Sequence, residues 1–200
     1  MKNPSTFYNK TYLKSPMSSD DPSLTRWEDN GLFYTTAKTA AAIAVRLGTR
    51  TILDVGCGRG FVVRHLRDGF GYDACGLEYG EAALTHSVCG AQFCDLTAML
   101  PCRDSSYGLV VCHGVLSHIP EPDVPHAIGE LRRVAGAALW VNVLVKKTPT
   151  QEHHKTFRSA EWWREKLVVG GFERAGKDLE PEIASFTPSE VQAMFLMVKR

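Results

Sequence analysis

No stretch of the chain stays apolar for the ~18 residues that a membrane-spanning helix needs, so no membrane span is expected. The opening residues, Met1-Lys2-Asn3-Pro4-Ser5-Thr6, lead into no continuous apolar segment, so no secretory signal is expected either. Basic residues number 23 against 22 acidic ones, a net charge of +1, so the basic excess typical of nucleic-acid binders is missing. A local basic patch at Lys146-Lys147 or Lys199-Arg200 stays open. The six cysteines (57, 75, 89, 94, 102 and 112) contain no Cys-x-x-Cys pair. Scattered in this way, they read as reduced thiols in the core rather than as disulfides or zinc ligands, which implies a cytoplasmic protein. Internal repeats and low-complexity tracts are absent as well.

What is present is organised around one stretch, Thr51-Ile52-Leu53-Asp54-Val55-Gly56-Cys57-Gly58-Arg59-Gly60. Its front is apolar and β-branched and reads as a buried strand. It breaks into Gly-x-Gly-x-Gly and continues into Phe61-Val62-Val63-Arg64-His65-Leu66-Arg67, which reads as a helix. Strand, glycine turn and helix form a nucleotide cradle. Residues without side chains let a ligand approach the backbone, and the helix start offers unpaired N–H groups.

The rest of the chain continues the alternation. An Ala-rich helix is predicted over 31–48, and further helices over 60–68, 80–88, 123–135 and 160–169. Strands are predicted over 51–56, 72–78, 91–95, 107–113 and 138–145, with two late strands beginning near Phe172 and Val191. Such a pattern implies a mainly parallel sheet with helices on both faces, and the two late strands imply an antiparallel hairpin at one edge. The expected fold class is α/β, a Rossmann-like seven-stranded mixed sheet over residues 31–200. Residues 1–30 are polar, carry Pro4, Pro16 and Pro22 as well as Phe7, Tyr8, Tyr12 and Trp27, and read either as a packed arm or as a lid over the site.

The glycine spacing narrows the ligand. A dinucleotide turn needs Gly-x-Gly-x-x-Gly, but here the third glycine is Gly60 and position 61 is Phe. The Lys-Ser/Thr ending of a phosphate loop is missing too. Residues 52–60 instead resemble the Leu-Asp-Val-Gly-Cys-Gly-x-Gly signature of class I S-adenosylmethionine-dependent methyltransferases of the small-molecule type. The resemblance extends over roughly 35–200. Glu78 and Asp95 end the second and third strands, Val115-Leu116-Ser117-His118-Ile119 follows the fourth, and Gly170-Gly171-Phe172 enters the sixth. Ser117 departs from the family, where an acid is common.

The resemblance implies S-adenosyl-L-methionine as cofactor, and the chemistry of that ligand agrees with the residues. Its ribose diol wants a carboxylate, for which Glu78 is placed, unless Glu78 is only a solvated strand end. The adenine amino group wants an acceptor, Asp95, with Leu96 near the ring; otherwise Asp95 starts a helical turn. The methionine ammonium wants carbonyls around Gly56 and at Cys112 and His113. Asp54 acts directly, through water, or by pinning the turn, whereas Cys57 fits as a small residue between Gly56 and Gly58. Tyr79 completes the expected cofactor set with Gly60.

Methyl transfer from a sulfonium needs alignment above all, and a base only when the acceptor holds a proton. Histidine suits that task near neutral pH. His113, at the end of the fourth strand, and His118 are the candidate catalytic residues, with a structural hydrogen bond as the alternative for His118. Tyr8, Tyr12, Trp27, His153 and His154 are the candidate substrate contacts. Trp162-Trp163 read as core and edge packing, or as a roof over a substrate. No metal is expected. The expected activity is methyl transfer to a small molecule, chiefly to a hydroxyl of a sugar or secondary metabolite, with no nucleic acid and no membrane as partner. The alternatives are an RNA or protein methyltransferase, or a non-catalytic S-adenosylmethionine-binding protein.

Overall fold

The computed structural model describes residues 31–147, 154–176, 179 and 191–200. Its strands are β1 (Thr51–Val55), β2 (Asp73–Glu78), β3 (Gln92–Phe93), β4 (Tyr107–His113), β5 (Ala135–Leu144), β6 (Phe172–Arg174) and β7 (Gln192–Lys199). They form one seven-stranded sheet in the order β3-β2-β1-β4-β5-β7-β6. The first five strands pair in parallel, while β7 runs antiparallel to both β5 and β6. The edge hairpin expected from the late strands is therefore β6–β7, with β7 inserted against β5.

Side chains along a strand alternate between its two faces, and the central strands use this to build two cores. Ile52, Leu109, Val111 and Trp140 pack with α1 (Gly31–Leu47) and α2 (Phe61–Asp68). Leu53, Val55, Val110, Cys112 and Val141 face the opposite way. Between these helices and the next large one lies the short α3 (Glu81–Thr85); α4 (Val124–Val134) and α5 (Ala160–Val169) cover the second face with Ile128, Leu131, Trp163 and Leu167. Among the described residues no helix is long and apolar enough to cross a membrane.

Several boundaries differ from the sequence expectation, each for a local reason. The helix expected over 80–88 stops at Thr85, because Ser87 Oγ turns the chain by accepting from Cys89 N–H and Ala91 N–H at 3.3 and 3.0 Å. The third strand shrinks to two residues, so Asp95 lies beyond it and its carboxylate accepts from the Thr97 N–H and hydroxyl at 2.8 and 2.7 Å. β5 starts at Ala135, directly off α4, where a Cβ on Gly136 would stand only 3.2 Å from two backbone oxygens, those of Ser105 and Tyr107. Past β6, which ends at Arg174, Ala175 N–H still bonds Leu196 O at 3.0 Å.

Ser159 caps α5 by accepting from Trp162 N–H. Trp163 is fully buried and its Nε1–H donates to Leu144 O at 3.3 Å, while half-buried Trp162 lies under the cations of Arg158 and Lys166. The packing reading of this tryptophan pair therefore holds.

Candidate active site

In open α/β sheets ligands bind outside the carboxyl ends of the strands. A cavity of about 280 Å³ lies there, reached from β1, β2, β3 and β4 together. Val55 and Gly56 form its β1 side, and Glu78, Tyr79 and Gly80 its β2 side. Cys94, Asp95, Leu96 and Thr97 line it after β3; His113, Gly114, Val115, His118 and Ile119 line it after β4.

Two positions require glycine. Gly56 has φ +76°, and a Cβ there would collide with the Val115 side chain from the loop after β4. Gly60 has φ +85°, and a Cβ there would collide with Cys89 Sγ. These are left-handed conformations that side chains rarely tolerate. The turn is tied to β2 from both ends. Gly56 N–H and Cys57 N–H donate to Leu77 O at 2.8 and 3.0 Å, and Gly58 N–H donates to Glu78 Oε2 at 2.7 Å. Glu78 Oε1 accepts from Tyr79 N–H and Gly80 N–H at 2.9 and 2.7 Å.

Asp54 is buried and stands behind the turn, off the cavity wall. Burial, followed by the nearby Cys89 and Glu78, pushes its carboxyl up to about 7. Cys57, Gly58 and Gly60 belong to the turn without lining the cavity, and Cys112 is fully buried in β4. The expected cofactor residues that reach the cavity are Gly56, Glu78, Tyr79, Asp95, Leu96 and His113. Burial first, and then the Asp95 charge, raise the Tyr79 phenol, which stays neutral.

The histidines divide. His113 is half-buried and opens onto the cavity, but its Nε2 is shielded from solvent and its ring meets Trp140 edge-on at 4.2 Å. Burial pushes it down to about 3, so its imidazole stays uncharged. His118 also lines the cavity, and the His154 ring lies against it, tilted by 31° with centroids 3.8 Å apart. Exposed His126 is on α4, away from the cavity wall. Tyr8, Tyr12, Trp27 and His153 lie outside the described residues.

A clip explains the His118–His154 contact. Lys155 N–H and Thr156 N–H both donate to Ser117 O at 2.8 and 3.1 Å, and Thr156 Oγ1 donates to Ile119 O at 2.7 Å. The buried Ser117 hydroxyl in turn accepts from Leu144 N–H at 2.8 Å. This draws residues 154–156 onto the 3-10 turn Leu116–His118 and brings Lys155 to the cavity. Lys155, Thr97 and Asp123 line the cavity without having been expected to, and since the clip uses the Ser117 backbone carbonyl, no side chain in the sequence announced it.

Among the described residues the cavity wall carries the carboxylates of Glu78, Asp95 and Asp123 against the one ammonium of Lys155. That balance suits a cationic ligand with hydroxyl and amino donors, as S-adenosylmethionine is, and does not suit a pyrophosphate.

Residues 53–137 match the family model of a methyltransferase domain. The chain is 29% identical over 164 residues to "Probable methyltransferase ltbC" of Aspergillus luteorubrus, a match covering 74% of this chain and 55% of that protein. It thus spans about half the length of the curated relative it matches. Among solved structures, magnesium protoporphyrin IX methyltransferase of Synechocystis PCC 6803 with bound SAH superposes with a TM-score of 0.66 at 17% identity, covering 98% of each chain. The methyltransferase in complex with the Haloferax volcanii Trm112 activator gives 0.63 at 21% identity, covering 84% of this chain and 90% of that one. Residues 53–137 thus match a methyltransferase domain, and the fold around them is that of S-adenosylmethionine-dependent methyltransferases, which supports S-adenosylmethionine as the cofactor.

Proposed function

We propose that the protein transfers a methyl group to a hydroxyl oxygen of a small molecule, a sugar or secondary metabolite, with His118 taking the acceptor's proton. The observation that carries this reading is one cavity lined both by Gly56, Glu78 and Asp95 and by His118, whose ring is backed by His154. When bound, S-adenosylmethionine supplies a methyl group already activated by its sulfonium, so alignment is the main task left to the protein.

Glu78 binds the ribose hydroxyls, Asp95 accepts from the adenine amino group, and Leu96 packs on the ring. The carbonyls of Gly56 and His113 receive the ammonium. His118 is the base, since an imidazole ordinarily titrates near neutral pH. His113, held neutral at about 3 by burial, shapes the wall and takes no proton. Lys155 favours negative charge developing on the acceptor oxygen. All six cysteines are free thiols, which supports a cytoplasmic setting.

The test is tritiated-methyl transfer over pools of small hydroxyl compounds, RNA and protein, with calorimetric titration of S-adenosylmethionine and NAD. Label entering the small-molecule pool supports the reading. Label entering only RNA or protein overturns the acceptor class, and cofactor binding without transfer to any pool overturns catalysis.

A further inference from the structure

Cys57 and Cys89 stand apart from the other cysteines because the fold brings them to one point behind the glycine turn. A Cβ built on Gly76, in β2, would lie 2.7 Å from Cys57 Sγ and 3.2 Å from Cys89 Sγ. Both sulfurs thus pack against the same glycine, with Cys57 Sγ donating to Gly58 O at 3.6 Å and Cys89 Sγ 3.6 Å from Ser87 Oγ. The backbones that carry them are held together from both sides. Val88 N–H donates to Arg59 O at 2.8 Å, Arg59 Nε donates to His86 O at 3.1 Å, and Arg67 Nη1 donates to Cys89 O at 2.7 Å. Cys57 is half-buried and Cys89 is buried. Neither thiol has a task in methyl transfer.

We propose that Cys57 and Cys89 form a redox-sensitive dithiol whose oxidation to a disulfide weakens S-adenosylmethionine binding. The oxidant is hydrogen peroxide. The Cys89 thiolate attacks one peroxide oxygen, the O–O bond breaks, and the departing oxygen leaves as hydroxide, giving a sulfenic acid on Cys89. Cys57 sulfur then attacks Cys89 sulfur; the S–S bond forms, and the sulfenic oxygen leaves as water with the Cys57 proton. One peroxide is reduced to two waters while two thiols lose two hydrogens. The electrostatics assist this order. The adjacent Cys57 thiol pulls the Cys89 thiol down to about 6 against the cost of burial, with help from Ser87 and Arg67, while the Cys57 thiol is raised and stays protonated.

The coupling to the cofactor runs through the turn. Cys57 shares the Leu77 O anchor with Gly56, and its neighbour Gly58 donates to Glu78. A disulfide holds its sulfurs about 2.05 Å apart, closer than two thiols can approach. Closing that gap draws Cys57 toward Cys89 and shifts the turn relative to Glu78. The inference rests on the cofactor assignment of this site.

The full chain is treated with dithiothreitol or with hydrogen peroxide, the reagent is removed, and each sample is analysed by intact mass, two-protease peptide mapping and calorimetric titration with S-adenosylmethionine. The expected result is loss of two hydrogens through a Cys57–Cys89 link, with affinity reduced about ten-fold and restored by dithiothreitol. Reduced Cys89→Ser should bind as the reduced parent does and keep its affinity after peroxide. A peroxide-treated protein without that link, or one with the link and unchanged affinity, overturns the proposal, as does an equal peroxide effect in Cys89→Ser. Should the reduced parent fail to bind S-adenosylmethionine, the cofactor assignment falls and the coupling with it, while the peptide map still reports the dithiol chemistry separately.

Discussion

Oε2 of Glu78 accepts a hydrogen bond from Gly58 N–H at 2.7 Å, joining the end of β2 to the glycine turn. With Oε1 already accepting from Tyr79 and Gly80, three of the carboxylate's roughly four lone-pair positions serve the backbone. Glu78 therefore both builds the turn and faces the cavity, and a two-point grip on a ribose diol requires one backbone bond to be exchanged.

Glu78→Ala should weaken S-adenosylmethionine binding about ten-fold or more and lower the unfolding midpoint, since charge-assisted bonds are worth about 1.5–3 kcal/mol each. Glu78→Gln should resemble it, because the amide NH₂ would face the Gly58 N–H. Calorimetry and urea unfolding separate the two effects; unchanged affinity in a folded Glu78→Ala protein removes Glu78 from the binding role.

Asp54 predicts a pH dependence of stability. Its folded value of about 7 lies above the ordinary 3.8. Between these values the folded state keeps a proton that the unfolded state has released, so stability falls as pH rises through the window, by up to ~4 kcal/mol. Asp54→Asn should remove this slope and gain on the parent at pH above 7. Urea midpoints at both ends of the window check it, and parallel curves for the two proteins contradict it.

His118→Gln should lower kcat by ~10²- to 10⁴-fold and abolish the acid limb of its pH profile. His154→Ala should move that limb with a smaller loss of rate, because it removes the neighbouring ring and leaves the base in place. In His113→Gln the acid limb should remain where the parent has it, whatever its height. A limb that vanishes in His113→Gln and persists in His118→Gln would reverse the assignment.

Gly60→Ala should destabilise through two separable effects. The positive φ costs ~1–2 kcal/mol in any residue with a Cβ, and the added methyl meets Cys89 Sγ, an overpacking of ~1–3 kcal/mol. Adding Cys89→Ala should relieve the second effect alone. A double-mutant cycle by urea unfolding measures this, and strict additivity contradicts the contact.

Local chemistry made much of this legible. Ile52, Leu53 and Val55 announce a buried strand, and the glycines at 56, 58 and 60 announce a turn that side chains would block; the structure gives both their φ angles and the Val115 and Cys89 contacts behind them. The third strand is shorter than its residues suggest, because the Asp95–Thr97 turn competes with sheet pairing there.

By itself, then, the sequence determined the fold class and the cofactor turn, since hydrophobic period, glycine spacing and strand-end acids act on residues close in the chain. The tertiary structure alone decided what surrounds that turn. Ser117 brings His154 and Lys155 to His118 across more than thirty residues, burial keeps His113 neutral, and β2 brings Cys89 to Cys57. Those relationships depend on long-range packing and desolvation, which no local run of residues encodes.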